Sequence, residues 1–101
     1  MPTPFEVQST NNETRLIIRG SLDINSAPAL AEEIDRITAS RPARVVVDLA
    51  QLDLIDSSGV AALVKLYKGI RSAGGEISIS GARDQPLAIF KLLRMDKVFN
   101  L

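Results

Sequence analysis

Residues 43–64, "ARVVVDLAQLDLIDSSGVAALV", decide how the rest of this chain is interpreted. Residues 43–50 form an apolar run with three β-branched residues in succession, which is typical of a central strand covered on both faces. The apolar pattern is interrupted at residues 56–59 and then resumes with the period of a helix. The stretch therefore predicts a strand in the middle of a sheet that passes directly into a helix.

The segments on either side alternate between short strands and amphipathic helices. "FEVQS" and "TRLIIRG" predict a hairpin with its turn at residues 10–12, and a helix capped by Asn25 or Ser26 follows "GSLDIN", with Pro28 in its first turn. Further along, the pattern predicts a helix from about Ser58 to Ala73 that stops at Gly74 and Gly75, a strand at "EISIS", a helix from Asp84 to about Met95, and a short terminal strand or tail at "KVFNL". The order ββαβαβα predicts an α/β fold with a mixed central β-sheet and right-handed crossovers.

Length and composition restrict the classes of function. A chain of 101 residues corresponds to one domain, residues 1–101. Twelve Lys and Arg balance twelve Asp and Glu, which disfavours nucleic acid and membranes as partners. The chain has no Cys and no His, so it lacks thiol nucleophiles, the usual zinc ligands and the commonest general base. A protein or a small molecule is the expected partner.

The start of the chain and its apolar runs indicate a location. "MPTPFEVQST" lacks the charged and apolar regions of a signal peptide, and no apolar run approaches the roughly 20 residues that cross a membrane. We therefore expect a soluble, cytoplasmic protein.

The helix after the central strand is predicted to have two different faces. Its sheet-facing residues are Val60, Leu63, Val64, Tyr67 and Ile70, and its opposite face carries Ala61, Lys65, Lys68 and Ser72. The second set is a lightly charged stripe in line with the two serines, and a partner protein could use it.

The polar junction at residues 56–59 has more than one explanation. Asp56, Ser57 and Ser58 can each cap a helix N-terminus, and capping alone accounts for them, while Gly59 would let another surface approach the backbone closely. An anion or a small chemical switch is also favoured where a helix follows a central strand. A catalytic serine is disfavoured because no histidine exists and Lys65 lies about two turns away on the outer side of the helix.

Two separated motifs carry a resemblance to a known family. "GSLDINSAPAL" and "LDLIDSSGVAALVKLYKGIRSAGGEISI" resemble the STAS domain of bacterial anti-sigma factor antagonists, with their D-S-S-G or D-S-T-G signature, over nearly the whole chain. The sequence departs from the family pattern at Ala61, where a glycine is usual, and in "GSLD", where "GELD" or "GEID" is usual.

The resemblance implies a phosphorylation switch. Ser57 would be phosphorylated by a partner serine kinase that is also the anti-sigma factor, and a metal-dependent serine phosphatase would reverse this. The unphosphorylated form would bind the kinase and release the sigma factor, and phosphorylation would abolish binding. The chain itself would be neither an enzyme nor a metal or cofactor protein, since ATP and Mg²⁺ belong to the kinase. The partner-binding residues would be Asp23, Asp56, Ser57, Ser58, Gly59, Ala61, Lys65 and Lys68.

The two serines are expected to differ, and two other functions stay open. Ser57, nearer the strand, should project outward, whereas Ser58 should cap N–H groups of the first turn. One alternative function is a STAS scaffold of another assembly, which could be a partner switch with a non-sigma output, a transporter-associated subunit or a stressosome-like complex. The other is a small-ligand module at the helix N-terminus, although no glycine-rich phosphate loop supports it. The sequence does not indicate an oligomeric state.

Overall fold

The computed structural model describes residues 4–99, which form seven elements in the predicted order. The bounds are β1 Phe5–Ser9, β2 Glu13–Leu22, α1 Ala27–Ala39, β3 Arg44–Ile55, α2 Ser57–Ser72, β4 Glu76–Ser80 and α3 Asp84–Leu92. The strands form one mixed sheet in the order β1-β2-β3-β4, in which β1 is antiparallel to β2 and the other pairs are parallel. The predicted α/β fold and its element order are confirmed.

β3 lies inside the sheet, as predicted, but it is not covered on both faces. Val45, Val47 and Leu49 are fully buried, whereas Val46 and Asp48 between them are only half-buried. The expectation of two covered faces is wrong. The helices pack against one face of the sheet, so the apolar side chain of Val46 lies on the uncovered face. The core therefore lies on one side of the sheet.

The other face of the sheet carries ion pairs between neighbouring strands. Its pairs are Arg15–Asp48 at 3.3 Å, Arg19–Glu6 at 3.2 Å and Arg44–Glu76 at 3.6 Å. Opposite charges on adjacent strands are favourable neighbours, and their long side chains cover part of the strand surface. This face consequently stays in water without exposing a large apolar area.

The core joins the covered face of the sheet to all three helices. α1 contributes Leu30, Ile34 and Ile37, which recur with the period of a helix. α2 contributes Val60, Leu63 and Ile70 as predicted, and also Leu66, which the pattern analysis missed. Val64 and Tyr67 are half-buried against this core.

The second and third helices both end with a backbone turn in the left-handed region. After α2, Gly74 has φ +84°, and the amide of Gly75 donates to the carbonyl of Ile70 at 2.9 Å, which confirms the predicted stop. After α3, Arg94 has φ +58°, and the amide of Met95 donates to the carbonyl of Phe90 at 2.8 Å. The third helix therefore ends at Leu92, earlier than the predicted Met95, with no glycine to mark its end.

The predicted terminal strand at residues 97–101 is not found in the part that the structure describes. Residues 97–99 form turns, and the remaining two residues lie outside the described range. Phe99 is 1% exposed and packs edge-on against Tyr67 and Phe90, with ring centroids 5.6 Å apart in both pairs. The segment closes the core with an aromatic side chain instead of pairing with the sheet.

Candidate functional site

The loops that carry Asp23 and residues 56–59 converge where β2 and β3 end, whereas Lys65 and Lys68 lie further along α2. These neighbouring strands are parallel, so their carboxyl ends reach the same edge of the sheet, and the amide of Asp56 donates to the carbonyl of Leu22 at 3.1 Å. A cavity of about 260 Å³ opens beside this contact. Asp23 and Asp56, which are far apart in the sequence, both line it, so the structure brings the two predicted loops together.

Asp56 is the N-cap of α2. Its backbone is extended, with φ −113° and ψ −174°, and its carboxylate accepts a hydrogen bond from the amide of Gly59 at 3.1 Å. This geometry is that of a capping side chain at a helix start. The prediction that Ser58 caps the first turn is wrong, because the strand ends one residue before Asp56 and the carboxylate already occupies the capping position.

The two serines differ in exposure. Ser57, the first residue of α2, is exposed, whereas Ser58 is half-buried. Within residues 4–99, neither hydroxyl forms a hydrogen bond, whereas the neighbouring Asp56 carboxylate does. Ser57 is therefore accessible from solvent at the start of α2, whereas Ser58 is partly covered.

Gly59 permits close packing inside the chain. A Cβ at this position would lie 2.7 Å from Cγ of Leu22, 2.8 Å from Cγ1 of Ile55 and 2.8 Å from the carbonyl oxygen of Leu22. Gly59 is also buried. The expected close approach therefore exists, but the surface that approaches Gly59 consists of β2 and β3 of the same molecule. The prediction that Gly59 contacts a partner protein is corrected: Gly59 packs α2 onto the sheet.

The loop that contains Asp23 is closed by its own side chains. The carboxylate of Asp23 accepts from the amides of Asn25 at 2.9 Å and Ser26 at 3.2 Å, and the hydroxyl of Ser26 donates to the carbonyl of Ser21 at 3.1 Å. Ser26 is the N-cap residue of α1 by position, as one of the two predicted candidates, but its side chain makes no cap bond. Ile24 in this loop is 71% exposed.

The predicted stripe on the outer face of α2 is exposed along its whole length. Ala61, Lys65, Lys68 and Ser72 all face water. Lys65 forms an ion pair with Asp35 of α1 at 3.5 Å, which partly neutralises the stripe. Both lysines border a groove of about 540 Å³ between α1 and α2.

Two polar residues at the start of α3 bind the last part of β3, just before the junction, and sequence reasoning missed them. The side-chain amide of Gln85 accepts from the amide of Ile55 and donates to its carbonyl, both at 2.9 Å. Arg83 donates to the carbonyl of Ala50 at 2.9 Å and pairs with Asp53 at 3.3 Å. No sequence signal marks contacts between residues 30 positions apart.

Arg83 at the start of α3 is bound to two carboxylates. Hydrogen bonds to Asp84 and then to Asp53 raise the pKa of the Arg83 guanidinium. Residues 4–99 contain no cluster of His, Cys, Asp or Glu that could hold a metal ion. None of the helices described is both long enough and apolar enough to cross a membrane.

Comparisons with known proteins agree with this architecture. Residues 5–101 match the protein family described as "Mlab, STAS domain". The anti-sigma-B factor antagonist of Bacillus subtilis (strain 168) is 22% identical over 96 residues, which covers 95% of this chain and 87% of that protein. The crystal structure of an anti-sigma factor antagonist from Mycobacterium paratuberculosis superimposes with a TM-score of 0.82 at 23% identity, covering 94% of this chain and 80% of that one. The phosphorylated form of the Bacillus cell fate determinant SpoIIAA superimposes with a TM-score of 0.76 at 15% identity, covering 92% and 86%.

Proposed function

The chain belongs to the STAS domain family, and on this basis we propose that it is an anti-sigma factor antagonist in a partner-switching pathway. Its unphosphorylated form binds an anti-sigma serine kinase and thereby releases the sigma factor. The relative from Bacillus subtilis, which carries the name of such an antagonist and spans nearly the same length, supports this role. The protein acts by binding and not by catalysis, and it meets its kinase in the cytoplasm.

Ser57 is the phosphoacceptor of this switch. The observation that carries the proposal is the exposure of Ser57 at the first position of α2, where its hydroxyl forms no hydrogen bond within residues 4–99. A kinase can approach this hydroxyl without unfolding the helix, and it would supply the base, the ATP and the Mg²⁺. A serine phosphatase reverses the reaction.

Phosphorylation changes binding more than it changes the fold. A phosphoryl group adds about −1.5 to −2 charges next to Asp56, while the helix N-terminus offsets part of this repulsion. At a closed interface, the same group is bulky and costly to desolvate, and a penalty of about 3 kcal/mol would already weaken binding more than a hundredfold. The phosphorylated protein therefore lets the kinase go.

The kinase contacts the edge of the sheet and the adjoining outer face of α2. Asp23, Asp56, Ser57 and Ser58 supply polar contacts at the edge, and Ala61, Lys65 and Lys68 continue the surface along the helix. Ala61 is small and exposed, so it admits a close approach by the partner. Gly59 supports this surface from below by packing α2 onto β2.

The test separates the two serines. The immobilised protein is used to recover a serine kinase from the native cell lysate, and wild type, Ser57→Ala and Ser58→Ala are then incubated with that kinase and ATP. We expect mass spectrometry to find phosphate in wild type and Ser58→Ala but not in Ser57→Ala, which should also bind the kinase persistently. Label that persists in Ser57→Ala and disappears in Ser58→Ala would refute the assignment, and three unlabelled proteins would refute the switch.

A second candidate is a STAS subunit of another assembly. The description of the matched family names Mlab and not an anti-sigma factor antagonist, and this favours keeping the candidate. It predicts that the same lysate experiment recovers a stable complex without a serine kinase, whose formation does not change when Ser57 is replaced by Asp.

A further inference from the structure

The last residue of β3 has a strand neighbour on only one side. Ile55 is paired with Leu22 of β2, but β4 ends at Ser80, which is opposite Asp48, and so does not extend to Ile55. Its backbone N–H and C=O on that side are nevertheless satisfied, because the side-chain amide of Gln85 accepts from one and donates to the other, both at 2.9 Å. The amide thus takes the place of a missing strand residue, since it offers the same pair of hydrogen-bonding groups.

We propose that Gln85 is a positioning residue that holds the junction in the conformation in which Ser57 is presented. Ile55 immediately precedes Asp56, the N-cap of α2. Two hydrogen bonds to Ile55 fix the peptide planes from which the Asp56 side chain must reach the amide of Gly59. Loss of these bonds allows the end of β3 to move and weakens the cap that orients the first turn of α2.

The position of Gln85 is itself fixed from both sides. Arg83, two residues earlier, is anchored to the carbonyl of Ala50 and to Asp53, and Pro86, the next residue, is buried. Gln85 is half-buried and lines the cavity that Asp23 and Asp56 also line. α3 is therefore connected to the candidate site by one side chain, although it contributes no exposed group to the predicted partner surface.

The consequence for the kinase rests on the proposed function. If the junction spends part of its time in other conformations, only the remaining fraction of the protein can bind the kinase, and the apparent dissociation constant equals the intrinsic one divided by that remaining fraction. The phosphoryl transfer within the complex is unchanged, because Gln85 does not contact the hydroxyl. We therefore expect KM for phosphorylation of Ser57 to rise while kcat stays constant.

The first arm of the test measures hydrogen exchange by NMR in the isolated protein, without a kinase. Gln85→Met keeps a side chain of similar length but removes both hydrogen bonds, and Ile37→Val, in the core under α1, is the control that lowers stability away from the junction. Exchange at the amides of Asp56 and Gly59 should be at least about tenfold faster in Gln85→Met, because the loss of even one of the two hydrogen bonds has about this effect. It should also be faster at these amides than in the control.

The outcomes of the two arms are separable. Unchanged protection of Asp56 and Gly59 in Gln85→Met, or an equal change in Ile37→Val, overturns the positioning role whatever the kinase does. In the second arm, KM for the kinase recovered with the wild-type protein should rise by the reciprocal of the fraction of Gln85→Met that keeps the junction closed, with kcat within about twofold. A kinase that ignores the wild-type protein refutes the proposed function alone, whereas normal KM for Gln85→Met overturns the link between Gln85 and Ser57.

Discussion

Replacing Gly59 by alanine should destabilise the protein, although alanine is the better helix former. The added Cβ would lie 2.7 Å from Cγ of Leu22 and 2.8 Å from both Cγ1 of Ile55 and the carbonyl oxygen of Leu22. One of these atoms belongs to the backbone of β2 at the point where the amide of Asp56 is bound, so it cannot rotate away. The first turn of α2 would have to move outward from the sheet.

The expected size follows from two opposing effects. Overpacking of a tight site lowers the free energy of unfolding by about 1–3 kcal/mol. The higher helix propensity of alanine raises it by at most about 1 kcal/mol, and by less in a first turn. We therefore expect the free energy of unfolding to fall by about 1–2 kcal/mol. For a domain of this size, the corresponding fall in Tm is about 4–16 °C.

Urea unfolding monitored by circular dichroism is the appropriate assay, with Gly69→Ala as the control in the same helix. At Gly69, a Cβ would meet only side-chain atoms of the half-buried Thr38, at 2.9 Å and 3.1 Å. Its contact cost should nearly cancel the propensity gain, leaving a change within about 0.5 kcal/mol. If Gly59→Ala is as stable as wild type, or no less stable than Gly69→Ala, the close packing of α2 onto β2 is refuted.

Other predictions concern the cap, the outer face of α2 and the sheet. Asp56→Ala should lose about 1 kcal/mol of stability in the same assay, while Ser58→Ala changes it by less than about 0.5 kcal/mol, and the reverse order would reinstate Ser58 as the cap. Ala61→Trp should fold normally yet bind the kinase at least about tenfold more weakly by calorimetry, and equal affinity would exclude that face. The hydrogen bond from Gln8 is the main cause that lowers the pKa of Glu6 below its unfolded value, so this carboxylate contributes stability that is lost as the pH falls through the lowered pKa. Glu6→Gln should accordingly show a shallower loss of stability during acid titration, and an identical acid profile would contradict this.

The order of the elements was predictable because each helix or strand buries one face, and the apolar residues of that face recur with the period of the element. The alternation in residues 5–9 and the spacing of Leu30, Ile34 and Ile37 are local properties that a linear sequence displays directly. The coverage of β3 was not predictable in the same way. Val46 is as apolar as Val45, and only the placement of the helices on one side of the sheet decides which of them is buried.

The site was predictable in its location and less so in its details. Any of three consecutive residues could cap α2, and the choice of Asp56 depends on where the pairing of Ile55 with Leu22 stops, which is a property of two strands together. The bridge from Gln85 to Ile55 joins elements 30 residues apart, so no local pattern announces it. The phosphoacceptor role of Ser57 stays a prediction that rests on its exposure and on the family.

The burial of Phe99 sets a practical limit for anyone who shortens or fuses this protein. A boundary placed where the regular secondary structure stops, at Leu92, would discard an aromatic ring that contacts both Tyr67 and Phe90. Removing a ring of this kind from a core costs about 3–5 kcal/mol, a large part of the stability of a small domain. A reporter or affinity tag should therefore be joined beyond Phe99, because the folding unit extends past α3.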